Sequence, residues 1–185
     1  LRDKEHGGTV QVVPTNNADA LSLIARGQLD GAWAPEPWAT RLVQEANGRI
    51  LVDERDLWPN GDFVTTNLIV RTKFLQEHPD VVERLLCAHV RTTLWIADHP
   101  DEAKQVVNAG IKQITGAALP DAVINAAWRN QKVTYDPLAS TLRKSAEDAF
   151  KLGYLGDRQP NLDGLYALDP LNKVLGELKL QAVAR

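Results

Sequence analysis

Short apolar runs separated by turn residues fill the first third of the chain, and apolar positions at helical spacing fill most of the rest. Val10-Gln11-Val12-Val13 is rich in β-branched residues and is closed by Pro14, which predicts a strand. Thr15-Asn16-Asn17 then offers N-cap side chains to a helix predicted over 18–26. Gly27 follows where a left-handed residue commonly ends a helix. Leu29-Asp30-Gly31-Ala32-Trp33-Ala34 predicts a second, buried strand, broken by Pro35-Glu36-Pro37. The next helix is expected from Pro37 or Trp38 to about Ala46, because a proline at the first helical position gives up an N–H that would be unpaired anyway. Gly48 stops it, and Ile50-Leu51-Val52 predicts a third strand. Strand, helix, strand, helix, strand with short joints predicts a βαβαβ unit on a parallel sheet.

The stretch 53–62, with Pro59-Asn60-Gly61, is a turn-rich connector, and 63–70 is the longest strand candidate. Beyond Lys73 the pattern is helical. A short turn is expected at 74–77. A helix opens at Pro79 with apolar positions Val81, Leu85, Cys87, Ala88, Leu94 and Trp95, and closes at His99-Pro100. Further helices are expected over 101–109, 121–130, 138–152 and 171–184, with Gly110 and Gly153 at helix ends. A helix-rich segment with one strand does not cover both faces of a sheet by itself. It reads as one side of a lobe whose other strands lie elsewhere, which supports a missing N-terminal portion.

A length of 185 residues allows one ordinary domain or two small lobes. No apolar run approaches the roughly 20 residues that span a bilayer. The net charge of −3 is mild, and no Lys/Arg stripe interleaved with aromatics is present, so a nucleic-acid partner is not expected. Cys87 stands alone, which leaves no internal disulfide and no cysteine pair for a metal. Its place in the apolar stripe of 81–90 reads as a small buried hydrophobe. The chain opens on the polar run Leu1-Arg2-Asp3-Lys4-Glu5-His6 and contains no methionine, so the expectation is a fragment or a processed product.

The strongest candidate for chemistry is Asp30 to Trp38. Ligands of open α/β sheets bind beyond the carboxyl ends of strands, near helix N-termini, and Pro35 to Trp38 occupies that place. The helix N–H groups can bind an anion, and Trp38 offers an apolar wall. Glu36 either caps the helix or holds a ligand ammonium. Asn16 precedes the first helix and is expected mainly to cap it. Thr65 and Thr66 open the long strand; their hydroxyls can meet an oxyanion, or they simply reflect the β-propensity of threonine. His6, His78, His89 and His99 lack the spacing of a zinc site. No G-x-S-x-G, Walker loop or G-x-G-x-x-G is present, and pairs such as Asp53-Glu54 read as solvated charge. No nucleophile–base–orienter set assembles; no catalytic residue, metal or cofactor is expected.

The run Gly27-Gln28-Leu29-Asp30-Gly31-Ala32-Trp33-Ala34-Pro35-Glu36-Pro37-Trp38 resembles a segment of the aliphatic-sulfonate, taurine and nitrate-binding proteins of ABC importers. Thr65-Thr66-Asn67-Leu68-Ile69-Val70, followed by Phe74-Leu75 and His78-Pro79-Asp80-Val81-Val82, is similar to that family's return strand and next helix. Lys151-Leu152-Gly153-Tyr154-Leu155 and Leu171-Asn172-Lys173-Val174-Leu175 resemble its last helices. The resemblance implies an α/β fold of the type II periplasmic-binding class, present in part. Residues 1–62 would be the latter half of lobe two, and 63–185 a hinge strand with the helical return part of lobe one. It implies Glu36, Trp38, Thr65, Thr66 and Asn16 as ligand contacts. The ligand is then a small anion such as an alkanesulfonate, taurine or nitrate, the partner an ABC permease, and the location periplasmic or otherwise extracytoplasmic, on a lipoprotein. Glu36 stands where many relatives carry Asp, which leaves the choice of ligand open. A thiamine-pyrimidine-synthase-like enzyme and a sensory domain of the same fold are the alternatives; the enzyme's cysteine-rich motif is absent. Uncovered strand edges invite self-association of the chain.

Overall fold

The computed structural model describes residues 3–184. Leu1, Arg2 and Arg185, which the spans expected above include, lie outside the described residues. The regular elements are helices: α1 (Asn17–Ala25), α2 (Trp38–Glu45), α3 (Thr72–Glu77), α4 (Pro79–Asp98), α5 (Pro100–Thr115), α6 (Asp121–Arg129), α7 (Ala139–Lys151) and α8 (Asp169–Glu177). Short 3₁₀ turns occupy Lys4–His6, Glu54–Leu57 and Pro59–Gly61.

The helix boundaries follow local chemistry. Asn16 caps α1 by accepting the Asp19 N–H at 2.9 Å. Gly27 ends it at φ 67°, with Gly27 N–H on Ile24 O and Gln28 N–H on Leu23 O. Pro79 and Pro100 open α4 and α5, each after a histidine, His78 or His99, whose backbone is not helical. Gly110 departs from expectation. It sits inside α5, which continues through Ile111-Lys112-Gln113-Ile114 to Thr115. A single helical glycine costs only about 1 kcal/mol relative to alanine, which does not by itself end a helix. The last helix ends at Glu177 rather than near 184, because Lys179 turns left-handed at φ 58° and Leu180 N–H closes on Leu175 O at 2.8 Å.

The expected strands do not form a sheet. Among the described residues the only β pairing is an isolated parallel bridge between Asp3 and Val10. The segments 10–13, 29–34, 50–52 and 63–70 run without ladder partners. Their apolar side chains meet solvent, with Trp33 79% and Ile69 88% exposed. β-branched composition reports that a segment fits a pleated surface, but a ladder needs a partner strand about 4.8 Å away, and none of these segments is in a ladder among the described residues. The α/β expectation therefore holds for its helices and is corrected for its βαβαβ sheet.

The chain divides into two compact units. The first comprises the described residues up to Leu51 together with Asn108–Gln131, and the second Val52–Val107 with the described residues from Lys132 onward. In the first, α2 packs on both α1 and α6 around Ala20, Thr40, Val123, Ile124 and Ala127. Asn108 fastens the approach to α6, accepting from Leu119 N at 2.8 Å and donating to Leu119 O at 2.9 Å. In the second, α4 packs on α8 around Val90, Leu171, Val174 and Leu175, with Leu86, Cys87, Tyr135, Leu178, Leu180 and Val183 against them. The buried face of α4 is Val82, Val90 and Thr93, while Val81, Leu85 and Leu94 of the expected stripe face outward. Periodicity alone does not choose between two adjacent stripes; the position of α8 does. Cys87 is partly buried beside that core.

Candidate functional site

Glu36 stands between two prolines, just before α2, and its peptide bond to Pro37 is cis. Its side chain folds back onto the helix. Oε2 accepts the Thr40 N–H at 3.1 Å, while Oε1 accepts from Nδ2 of Asn130 at 2.6 Å. The neighbouring donors are also engaged: Ala39 N–H reaches Pro35 O at 3.1 Å and Arg41 N–H reaches Pro37 O at 3.0 Å. A carboxylate at this end complements the partial positive charge of a helix N-terminus. The first turn of α2 therefore already carries an anion, and most of its amides are spoken for.

Trp38 begins α2 half-buried, with the Arg41 guanidinium 4.7 Å above its ring. Arg41 is held there by a two-pronged bond to Glu45, at 2.9 and 2.8 Å. That bond lowers the Glu45 pKa and raises that of Arg41. Asn16 is exposed and spent on its cap, with Nδ2 also on the Asp19 carboxylate. Glu36, Trp38 and Asn16 all belong to the first unit.

Thr65 and Thr66 belong to the second unit, exposed on an irregular segment with a bend at Thr65. The segment is anchored one residue earlier. Val64 N–H donates to Thr141 Oγ1 at 3.2 Å, and that buried hydroxyl donates in turn to Leu138 O at 2.8 Å. Upstream, Trp58 stacks on Phe63 with centroids 5.8 Å apart, and Lys144 Nζ lies 4.8 Å from the Trp58 ring. Trp58 Nε1 donates to Glu54 Oε1 at 2.5 Å, while Glu54 Oε2 is buried and has no hydrogen-bond partner. Lys144 also pairs with Asp148, which lowers the Asp148 pKa. An open cleft of about 230 Å³ lies elsewhere in this unit, lined by Arg143, Glu147, Gln159, Asn161 and Asp163; no sequence-predicted site residue touches it.

Sequence reasoning missed Asn130, Thr141 and the Glu54–Trp58 pair. The last joins residues four apart across a 3₁₀ turn, in a stretch whose sequence reads only as a connector. Asn130 and Glu36 are 94 residues apart, and no local pattern announces their bond. Among the described residues, no group of three or more His, Cys, Asp or Glu side chains could hold a metal ion. No described helix is long and apolar enough to cross a membrane.

Comparison with known proteins gives this geometry a context. Over 145 residues, 77% of the chain, the sequence is 27% identical to a Bacillus subtilis protein named as an aliphatic sulfonates-binding protein, and the match covers 41% of that protein. Over 100 residues, 52% of the chain, it is 30% identical to the 2'-hydroxybiphenyl-2-sulfinate desulfinases of Rhodococcus erythropolis and Rhodococcus qingshengii, covering 26% of their length. The chain thus spans less than half the length of these curated relatives. No solved structure matches it. The NMT1-like family matches residues 4–111, more than half of the 185, and the chain belongs to that family.

Proposed function

We propose that this chain forms part of a solute-binding receptor of an ABC importer, which captures a small organic anion and hands it to a membrane permease. The observation that carries this reading is the likeness, along 77% of the chain, to a protein named for binding aliphatic sulfonates. The Rhodococcus relatives are named for acting on a sulfinate. Both names describe a sulfur oxyanion on a carbon skeleton, which favours an alkanesulfonate or taurine over nitrate as the ligand. The receptor reading implies a type II fold of two lobes, divided near residue 62, and an extracytoplasmic location, whether periplasmic or on a lipoprotein.

Glu36, Trp38 and Asn16 in the first unit, and Thr65 and Thr66 in the second, are the proposed ligand contacts. The carboxylate already seated on the α2 amides disfavours a second anion at that helix end. Glu36 and Trp38 instead suit a cationic or apolar group, and Thr65 and Thr66 present exposed hydroxyls of a kind that suits an oxyanion. In this reading, capture proceeds without bond cleavage. Titration calorimetry with 2-aminoethanesulfonate, longer alkanesulfonates and nitrate tests this. Heat from sulfonates and no product is the expected result. Sulfite release from an aryl sulfinate would move the chain to the catalytic branch of its relatives.

A further inference from the structure

We infer that Asn130 is a positioning residue for the Glu36 carboxylate, and that through this bond the C-terminal end of α6 tunes which ligands the Glu-Pro-Trp turn accepts. The inference rests on the receptor reading above, and it concerns a residue no sequence pattern singled out.

Asn130 follows the last residue of α6 and closes it, its own N–H donating to Ala127 O at 3.1 Å. Its side chain is thus carried on a helix end whose neighbours Val123, Ile124 and Ala127 are buried. From that base Nδ2 reaches Glu36 Oε1 at 2.6 Å, a short charge-assisted bond. The other oxygen is held by the Thr40 N–H, on a residue only 6% exposed. The two bonds come from different helices and fix the carboxylate in both position and plane. The two prolines that flank Glu36 have no N–H to offer. Glu36 accepts one bond from within its own turn, from the Thr40 N–H, and one from outside it, from the amide of Asn130. A carboxylate oxygen has two lone pairs. With one used on each oxygen, the half-exposed Glu36 keeps acceptor capacity in a fixed direction, suited to a ligand that carries an ammonium or hydroxyl beside its anionic group.

The test compares two ligands that differ by one ammonium group, 2-aminoethanesulfonate and ethanesulfonate, on the wild-type chain and on Asn130→Ala, Asn130→Asp and Glu36→Gln. The aminated ligand should lose about tenfold in affinity in Asn130→Ala and more in Asn130→Asp, where a second carboxylate repels the first. Ethanesulfonate should change by less than about twofold, so that the affinity ratio falls. Equal weakening of both ligands, or none, overturns the inference and leaves the receptor reading standing. A second readout does not need ligand: amide exchange at Thr40 should quicken about tenfold in Asn130→Ala if Asn130 holds the Glu36 cap in place. An unchanged Thr40 rate refutes the positioning role, even if the wild-type chain binds neither sulfonate. In that last case faster exchange sustains the positioning role, while ligand tuning and the receptor reading fall together.

Discussion

The joint at Glu36 in the first unit and the α4–α8 pair in the second hold helices together by opposite means. At the α4–α8 pair, Val90 and Leu175 are both 0% exposed, and their attraction is nondirectional burial of apolar surface. A long-range ion pair, Lys173 to Glu83 at 2.6 Å, lies on its exposed rim. At the Glu36 joint, the contact of α2 with α6 is completed by a carboxylate that reads one amide N–H and one side-chain donor. Apolar burial tolerates small shifts of its partners. A carboxylate bonded at 2.6 and 3.1 Å does not, because hydrogen bonds weaken steeply with angle and distance. The α4–α8 pair is thus built for stability, whereas the Glu36 joint is built for orientation.

Four substitutions and one change of pH probe that contrast. Leu175→Ala should destabilise the second unit most, by about 2–5 kcal/mol, from lost burial and the cavity left behind. Denaturant unfolding followed by tryptophan fluorescence measures it. A loss below about 1 kcal/mol would mean that the apolar pair is not what holds this unit. Glu36→Ala should cost less, about 1–2 kcal/mol, since it removes a helix cap and one charge-assisted bond. A cost equal to that of Leu175→Ala would erase the distinction between the two regions. Gly110→Ala should stabilise, by about 0.5–1 kcal/mol, because no atom beyond its chain neighbours and its own helix backbone lies within 4 Å of the added methyl, and α5 passes straight through the position. Destabilisation there would show that the Gly110 face is covered.

Acid should give the smallest effect. The Arg55 bonds hold the Asp53 carboxyl down at about 2, and the carboxyls of Glu45 and Asp148 are also lowered by their partners. A depressed folded-state pKa contributes stability that is fully present above the unfolded value, about 4, and is lost as pH falls through the folded one. Thermal midpoints should therefore be flat above about pH 5 and decline toward pH 2. Asp53→Asn should flatten that decline only slightly, because the pair is solvent-screened. A large change would place Asp53 in a more sheltered setting than its exposure indicates.

Much of this molecule was legible one turn at a time. The Asn16 cap, the Gly27 and Gly153 helix ends, and the openings of α4, α6 and α7 depend on residues within about four positions of one another. Such signals survive in the bare sequence because chain connectivity already supplies the proximity. The Glu36 turn was legible in the same way, since a carboxylate four residues before Thr40 is a local arrangement. The strand segments mark the limit. Val10–Val13 and Leu29–Ala34 have the composition of strands, yet pairing is a property of two segments, and neither finds a neighbour among the described residues.

By itself, then, the sequence determined the cap at Asn16, the helix ends at Gly27 and Gly153, the proline-led opening of α4, and the Glu-Pro-Trp turn that leads into α2. Tertiary structure alone decided that Val82, rather than Val81, faces inward on α4, that α5 runs through Gly110, and that Asn130 meets Glu36 from 94 residues away. The reason is physical: a local bond closes a loop of a few residues at little entropic cost. A bond across 94 residues exists only once the surrounding helices have packed and brought its partners together.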